Sequence, residues 1–387
     1  MSAIKQRIGI IGGGQLGKMM ILEAKRLGFY VVTLDPSRDC PSHSISDEHV
    51  VADFHDENAI GWLANKVDVI TYEFEHINAH ALAKVAAMGH RVYPSVKSLF
   101  TIQNKYYQNQ TLELAGIPIP KYIKVRNTDD IFGAGDILGY PMMLKATMGG
   151  YDGKGNYLIR NREDISVAYQ ALGNGSRELM VEEFIDFDKE ISIIACRGIN
   201  GEKVIYPVAQ NTHSNSILDT TVVPAGISKS NTEFAEIIAN GVMDTFEGVG
   251  TFCVEMFLTK DNKIYVNEVA PRPHNSGHYT IEGTFANQFE NHIRAITNLP
   301  FGCVNLIQPT VMVNLLGESD GPAELVGLEE AYALVPNLKV HYYGKAESKI
   351  GRKMGHFTVV DKTVQDAFWK AEDVKKLVKV IGKKDTK

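Results

Sequence analysis

The sequence predicts a chain of mixed class, α/β at its start and α+β beyond, with an open parallel sheet first and a larger antiparallel sheet later. Three observations predict this. Residues 7–34 run strand, glycine turn, helix, strand, the order of a right-handed parallel unit. From Glu190 to Asn211 apolar and polar residues alternate as in antiparallel strands. Between these parts, short apolar runs are separated by Pro/Gly breaks, and 387 residues are too many for one ordinary core.

Taken in order, Arg7 to Ile11 reads as a buried strand, and Leu16, Met19, Met20 and Leu22 to Leu27 have helical spacing. Tyr30 to Leu34 and Val67 to Tyr72 are further buried strands. A new section begins near Lys105, and Gly116-Ile117-Pro118-Ile119-Pro120 breaks the chain after a helix. Strands are expected at Tyr122 to Val125, Met142 to Ala146, Tyr157 to Ile159 and Leu179 to Phe184, with a helix from Thr128 to Leu138. Phe234 to Phe246 is amphipathic. Thr251 to Leu258 and Ile264 to Val269 read as strands joined by the turn Lys260-Asp261-Asn262-Lys263. Thr284 to Thr297 reads as a helix, and Thr310 to Val360 is rich in strands. The basic tail, Lys375 to Lys387, reads as a solvated, frayed terminus. These breaks divide the chain into domains 1–104, 105–186 and 187–387.

Charge and composition narrow the partners. Lys and Arg number 40 against 46 Asp and Glu, and no clustered basic face of the kind nucleic acid needs is present. No apolar run reaches membrane-span length, and the chain opens into a strand rather than a signal peptide. Cys40, Cys196, Cys253 and Cys303 are scattered without CxxC spacing, so the spacing indicates neither a zinc site nor a disulfide framework. Cys196 and Cys253 lie in apolar runs and read as buried thiols, and a reduced, cytoplasmic setting is expected.

Gly12-Gly13-Gly14-Gln15-Leu16-Gly17 has GxGxxG spacing between a strand and a helix. Amides at a helix N-terminus attract phosphate. Asp35 after the next strand suggests a dinucleotide ribose, but simple phosphate binding or a tight turn fits the stretch better. Lys145 ends a strand just before the loop Gly149-Gly150-Tyr151-Asp152-Gly153-Lys154-Gly155. That loop lacks Walker order, yet it can fold over a triphosphate with its amides and the Lys154 ammonium facing the phosphates, a reading that fits it better than a mobile hairpin tip.

Glu255 and Glu268 each interrupt an apolar strand, and a hairpin between them would set the carboxylates side by side. Two such groups repel unless a cation lies between them, and with Asn267 they suit Mg2+ on nucleotide phosphates; pairing of one with Arg272 is the alternative. Arg272-Pro273-His274-Asn275-Ser276-Gly277-His278-Tyr279 places Arg272 to hold bicarbonate or a transferring phosphoryl group, while His274 and His278 fit loop hydrogen bonding as well as ligand contact. Val181-Glu182-Glu183-Phe184-Ile185, with Glu190 beyond, can offer backbone groups to an adenine edge and a carboxylate to ribose, although alone it is an ordinary acidic edge. Tyr72-Glu73-Phe74-Glu75-His76 ends a parallel strand, where ligands bind. Lys345, Arg352 and Lys353 suit a substrate phosphate or simply a solvated face.

In this order the motifs resemble the ATP-grasp superfamily and, within it, the 5-(carboxyamino)imidazole ribonucleotide synthase family. The resemblance runs from Ile8 to about Phe357 and rests on GIIGGGQLGKM at Gly9, YEFEHI at Tyr72, GGYDGKG at Gly149, VNEVAPRPHNSGHYT at Val266 and HYYGKAESKIGRKMGH at His341. It implies a Rossmann-like N-terminal domain, a small lid domain and a large antiparallel domain, with ATP between the last two. It implies ATP contacts from Lys105, Lys145, Gly150, Tyr151, Asp152, Gly153, Lys154, Gly155, Asn156, Glu182, Glu183, Phe184, Ile185, Glu190, His213, Asn267 and Glu268. Glu255 and Glu268 are the implied ligands of Mg2+ or Mn2+. Gln15, Glu73, Tyr151, Asp152, Arg272, His274, Asn275, Lys345 and Arg352 are implied for substrate, and Tyr151, Asp152, Lys154 and Arg272 for the chemistry. The glycine turn then faces the ribonucleotide phosphate and loses its dinucleotide reading.

The implied reaction joins bicarbonate to the amine of 5-aminoimidazole ribonucleotide through carboxyphosphate, converting ATP to ADP and phosphate. A homodimer is implied, with no nucleic-acid or membrane partner. Asn109 stands where many relatives carry Lys, Ala146-Thr147-Met148 where an Arg is frequent, and Asn156 where Gln is common. These departures bear on single phosphate contacts, not on the class. Another ATP-grasp ligase, such as a formate-dependent glycinamide ribonucleotide transformylase, is the alternative; it would share the metal pair but not the GGYDGKG and HNSGH pairing.

Overall fold

The computed structural model describes residues 6–150 and 155–383. Arg7–Ile11, Tyr30–Leu34, Glu48–Val50, Val69–Tyr72 and Arg91–Val92 form a parallel sheet. Its spatial order, counted along the chain, is third, second, first, fourth, fifth. The central first strand buries Ile8, Ile10 and Ile11 completely, as a strand covered on both faces must. Strand order reverses between the first and fourth strands, so a crevice opens at their carboxyl ends. The glycine turn leaves one of these ends and Glu73 the other.

Tyr122–Val125, Leu179–Glu183, Met142–Ala146 and Asn156–Ile159 form a four-stranded antiparallel sheet in that spatial order. The helix Thr128–Leu138 packs Ile131 and Ala134 against its Leu144 and Val181. Asn127 starts that helix by accepting a hydrogen bond from the Asp130 amide, and Gly139, at positive φ, ends it.

The largest sheet has nine strands and runs from Ile264–Ala270 through Gly250–Thr259, Phe187–Arg197, Ala209–Ser214, Ile217–Val223, Thr310–Leu316 and Lys353–Val360 to Lys339–Tyr342, with Lys203–Ile205 beside Phe187–Arg197. The helix Lys229–Phe246 closes one face of it. Ala235, Ile238, Val242 and Met243 pack there on Ile191, Ile193, Val254 and Met256. Removing such side chains from water contributes roughly 1.5–3 kcal/mol each for the larger ones.

Two segments differ from expectation. The helix expected over 284–297 runs Gln288–Ile296, because the Asn287 side chain caps it by accepting from the Phe289 and Glu290 amides, while Thr284 bridges to Leu306. The basic tail is not frayed over its described part. Val364–Leu377 is a helix, and Lys379–Gly382 pairs antiparallel with Gly321–Val326, burying Val378 and Val380. Alternate apolar residues between the lysines supply that strand, and the Lys375 ammonium lies 2.5 Å from Asp219. Cys196 and Cys253 are buried, as is Cys40, whereas Cys303 is exposed. No described helix is long and apolar enough to cross a membrane.

Candidate active site

A cleft of about 550 Å³ lies between the four-stranded sheet and the large sheet. Met143, Lys145 and Glu182 to Ile185 line it from the smaller sheet, and Glu190, His213, Glu255, Phe257, Asn267 and Glu268 from the larger one. Gly150, Gly155, Asn156, Lys105, Arg272, His274 and Asn275 complete the walls. The candidates for nucleotide, metal and anion binding that are widely spaced in sequence thus share one cavity. Tyr151, Asp152, Gly153 and Lys154 lie outside the described residues. Gln15, Glu73, Lys345 and Arg352 do not line the cleft.

Charges within the cleft are matched in pairs. The Lys105 ammonium is 2.8 Å from Glu268, and Lys145 is ion-paired with Glu182 while reaching Asn267 Oδ1 at 3.5 Å. The second oxygen of Glu182 accepts from Asn109 Nδ2 at 2.9 Å. Asn109 thus serves as a neutral hydrogen-bond donor to a carboxylate of the cleft wall. His213 Nδ1 is 2.6 Å from Glu190, and although burial works against its charge, that carboxylate raises the imidazole above its ordinary value.

Glu255 and Glu268 face each other as register partners on adjacent strands, beside a bulge between Glu255 and Met256. Burial first, and the Glu268 charge second, push the Glu255 carboxyl up to about 7. A half-buried carboxylate that resists ionising beside another, with the Asn267 side chain lining the same cleft, fits a divalent cation with oxygen preference. Arg272 forms its ion pair with neither glutamate, although its charge partly favours ionised Glu255 from a distance. Its guanidinium forms a two-point pair with Glu75, Nε at 2.6 Å and a terminal nitrogen at 3.2 Å. Burial opposes ionisation of Glu75, but the Arg272 charge and hydrogen bonds outweigh it and hold the carboxyl down at about 2.

His274 stands in the cleft with Nε2 3.9 Å from Glu255. His278 instead is fully buried, its ring centroid 4.5 Å from that of His356, so the structural role open to it in sequence is the one it fills.

The second group gathers at the parallel-sheet crevice. Glu73 accepts hydrogen bonds from the Gly14 and Gly17 amides, both at 2.7 Å, and Asp35 accepts one from Gly13 at 2.8 Å. A Cβ on Gly12 or Gly14 would collide with Glu73, so glycine is required for this approach. The turn thus directs these amides at the chain's own carboxylates, whereas the sequence suggested that they face a phosphate. Gln15 begins the helix Gln15–Arg26 beside them. Lys345 is close enough to Glu73 for their charges to act on each other, and its Nζ donates to the Lys353 carbonyl at 2.6 Å. Arg352 donates to the Glu347 carbonyl at 2.6 Å and adds positive charge beside Lys345.

Comparison with known proteins places this arrangement. Residues 5–103 match a ribonucleotide synthetase preATP-grasp domain, 110–289 an ATP-grasp domain, and 310–368 a phosphoribosylaminoimidazole carboxylase C-terminal domain. N5-carboxyaminoimidazole ribonucleotide synthase of Staphylococcus aureus (strain COL) is 42% identical over 371 residues, 94% of this chain and 96% of that protein. The chain belongs to the N5-carboxyaminoimidazole ribonucleotide synthase family.

Solved structures agree with this membership. The N5-carboxyaminoimidazole ribonucleotide synthetase of Thermotoga maritima is 44% identical, covers 98% of this chain and 100% of its own, and superposes with a TM-score of 0.89. The N5-carboxyaminoimidazole synthase of Aspergillus clavatus, in complex with ADP and 5-aminoimidazole ribonucleotide, is 34% identical, covers 97% and 99%, and has a TM-score of 0.90. As an N5-carboxyaminoimidazole ribonucleotide synthase family member, the chain is an ATP-grasp ligase, and most residues lining the cleft fall within the matched ATP-grasp domain. Glu75, one of the strand-end acids expected to meet substrate, lines the cleft, and so do Phe187 and Phe257, stacked with centroids 4.7 Å apart, which no local sequence pattern marks as cleft residues.

Proposed function

We propose that this chain carboxylates the exocyclic amine of 5-aminoimidazole ribonucleotide with bicarbonate, using ATP. The observation that carries this reading is the segment Glu73-Phe74-Glu75. Glu75 reaches into the nucleotide cleft through Arg272, while Glu73, two residues earlier, lies in the crevice with Lys345. One strand end therefore joins the cleft to the parallel-sheet crevice, where Lys345 and Arg352 supply positive charge. The Aspergillus clavatus relative bound to ADP and 5-aminoimidazole ribonucleotide supports assigning the crevice to the ribonucleotide.

In this reading the adenine lies along Met143, Phe257 and the backbone of Glu183 to Ile185, and Glu190 takes the ribose. Lys145 and Lys105 turn from their carboxylates toward the phosphates. Glu255 and Glu268 would hold Mg2+ or Mn2+, which when bound supplies positive charge for the triphosphate. Arg272, anchored by Glu75, orients bicarbonate so that its oxygen attacks the γ-phosphorus as the bond to ADP breaks. The resulting carboxyphosphate hydrolyses readily in water, so the cleft walls must exclude solvent until the amine nitrogen takes the carboxyl group and phosphate leaves. Lys345 and Arg352 hold the ribonucleotide phosphate. Tyr151, Asp152 and Lys154 complete the site from the glycine-rich loop, and His274, Asn275 and Gln15 add substrate contacts. The domain division at 104/105 and 186/187, a homodimer and a cytoplasmic setting belong to the same proposal.

Glu268→Gln tests it. The variant keeps the fold by circular dichroism and loses at least about 100-fold in ADP release, as expected when charge opposite the transferring group is removed. Unchanged turnover would remove Glu268 from the metal pair.

A further inference from the structure

Behind the cleft wall, the buried thiol of Cys253 brings a third kind of ligand atom to Glu255 and His274, two residues that the proposed reaction uses. A sulfur of Cys253, a carboxylate oxygen of Glu255 and a ring nitrogen of His274 all lie within 4.8 Å of one another. Cys253 and Glu255 are two apart on the strand Gly250–Thr259, so their side chains leave the same face. His274 arrives from the loop after the next strand. Hard cations take oxygen ligands, whereas thiolate with imidazole selects Zn2+ and its thiophilic neighbours.

A chain of hydroxyl hydrogen bonds lies behind these atoms. Ser276 Oγ is 2.9 Å from His274 Nδ1 and 3.6 Å from Cys253 Sγ, and it accepts from Ser192 Oγ at 3.0 Å. Ser192 is in turn held by Asn211 Nδ2 at 2.8 Å. With a proton on Nδ1, Ser276 accepts from the imidazole and donates its own proton to the sulfur. The longer 3.3 Å contact from the Ser276 amide to Nδ1 is then given up. This leaves Nε2, the nitrogen 3.9 Å from Glu255, with a free lone pair. A metal-ligating imidazole usually donates its other ring N–H to a fixed oxygen acceptor, and Ser276 Oγ can take that place here.

We propose that Cys253, Glu255 and His274 form a three-ligand site for Zn2+ or a similar thiophilic divalent cation, with its fourth position open to the cleft. Binding displaces the thiol proton to solvent. The cation takes Glu255 from the Mg2+ site that it would share with Glu268, so it blocks the nucleotide cleft. Binding itself does not depend on which reaction the cleft performs.

The test titrates Co2+, as a spectroscopic probe, into the full chain without nucleotide. Exposed Cys303 is replaced by serine throughout. One equivalent should give a thiolate-to-Co2+ charge-transfer band, and equimolar Zn2+ should abolish it. Cys253→Ala should lose the band, Cys196→Ala should keep it, and His274→Ala should bind Co2+ at least tenfold more weakly. Absence of the band in the parent Cys303→Ser protein, a band that survives in Cys253→Ala, or unchanged affinity in His274→Ala overturns the site. In ADP release, Cys253→Ala should need at least tenfold more Zn2+ for half inhibition; equal sensitivity overturns the blocking role. Because the spectrum is read without turnover, failure of the proposed reaction leaves the site testable.

Discussion

Lys345 shows how a single residue acquires its function from its surroundings. Burial first, then the neighbouring Arg352 charge, lower its ammonium to about 8, and Glu73 only partly offsets them. A lysine lowered in this way loses charge as pH rises through about 8. If it holds the ribonucleotide phosphate, kcat/KM for that substrate falls above about pH 8, and Lys345→Arg, which stays charged, keeps it level. A profile over about pH 7 to 9 that is the same in both proteins would remove Lys345 from the phosphate. Residues of this kind were legible in sequence when several sat in one motif, as with Asn267, Glu268 and Arg272. The pairing of Glu75 was not legible, because its partner Arg272 lies 197 positions away and no local pattern marks the pair. The three-way meeting of Cys253, Glu255 and His274 was hidden for the same reason: spacing rules find ligands within one loop, not across a strand and the loop beyond its neighbour.

At the level of elements, the Glu75–Arg272 pair ties the end of the strand Val69–Tyr72 to the loop after Ile264–Ala270. Glu75 lies well below the ordinary 4.5, at about 2. A depressed carboxyl contributes stability that is present above its unfolded value and lost as pH falls through its folded one. Glu75→Gln should therefore be less stable than wild type by on the order of 3 kcal/mol above about pH 5, with the gap closing toward about pH 2. Urea unfolding of both proteins at about pH 5.5 and 3 checks this; a gap that does not change with pH would contradict the ion-pair account. Elements bounded by strong local signals were read residue for residue, among them Tyr122–Val125, Thr128–Leu138 and Met142–Ala146. The helix Gln288–Ile296 was read too long because Thr284 to Ala286 are spaced like a helix but pair instead with the 303–307 segment.

Across the whole molecule, the parallel crevice and the antiparallel cleft are held in one frame by contacts distant in sequence. Lys18 Nζ donates to the Tyr343 carbonyl at 3.0 Å, which ties the first helix to the segment carrying Lys345. The C-terminal strand Lys379–Gly382 completes the core behind that segment, with Val380 fully buried. Deleting residues 379–387 should cost on the order of 3 kcal/mol and lower Tm by several degrees. An unchanged melting curve would return the tail to the solvated terminus its lysines suggested. The class of fold was visible in the changing periodicity of the chain, but the strand partner of this tail was not, since Gly321–Val326 lies more than fifty residues upstream and carries no matching local signal. The most direct measurement is ADP release with Mg2+ and bicarbonate, with and without 5-aminoimidazole ribonucleotide. The proposed function predicts strong stimulation by the ribonucleotide, dependent on bicarbonate. ADP release indifferent to the ribonucleotide would contradict it.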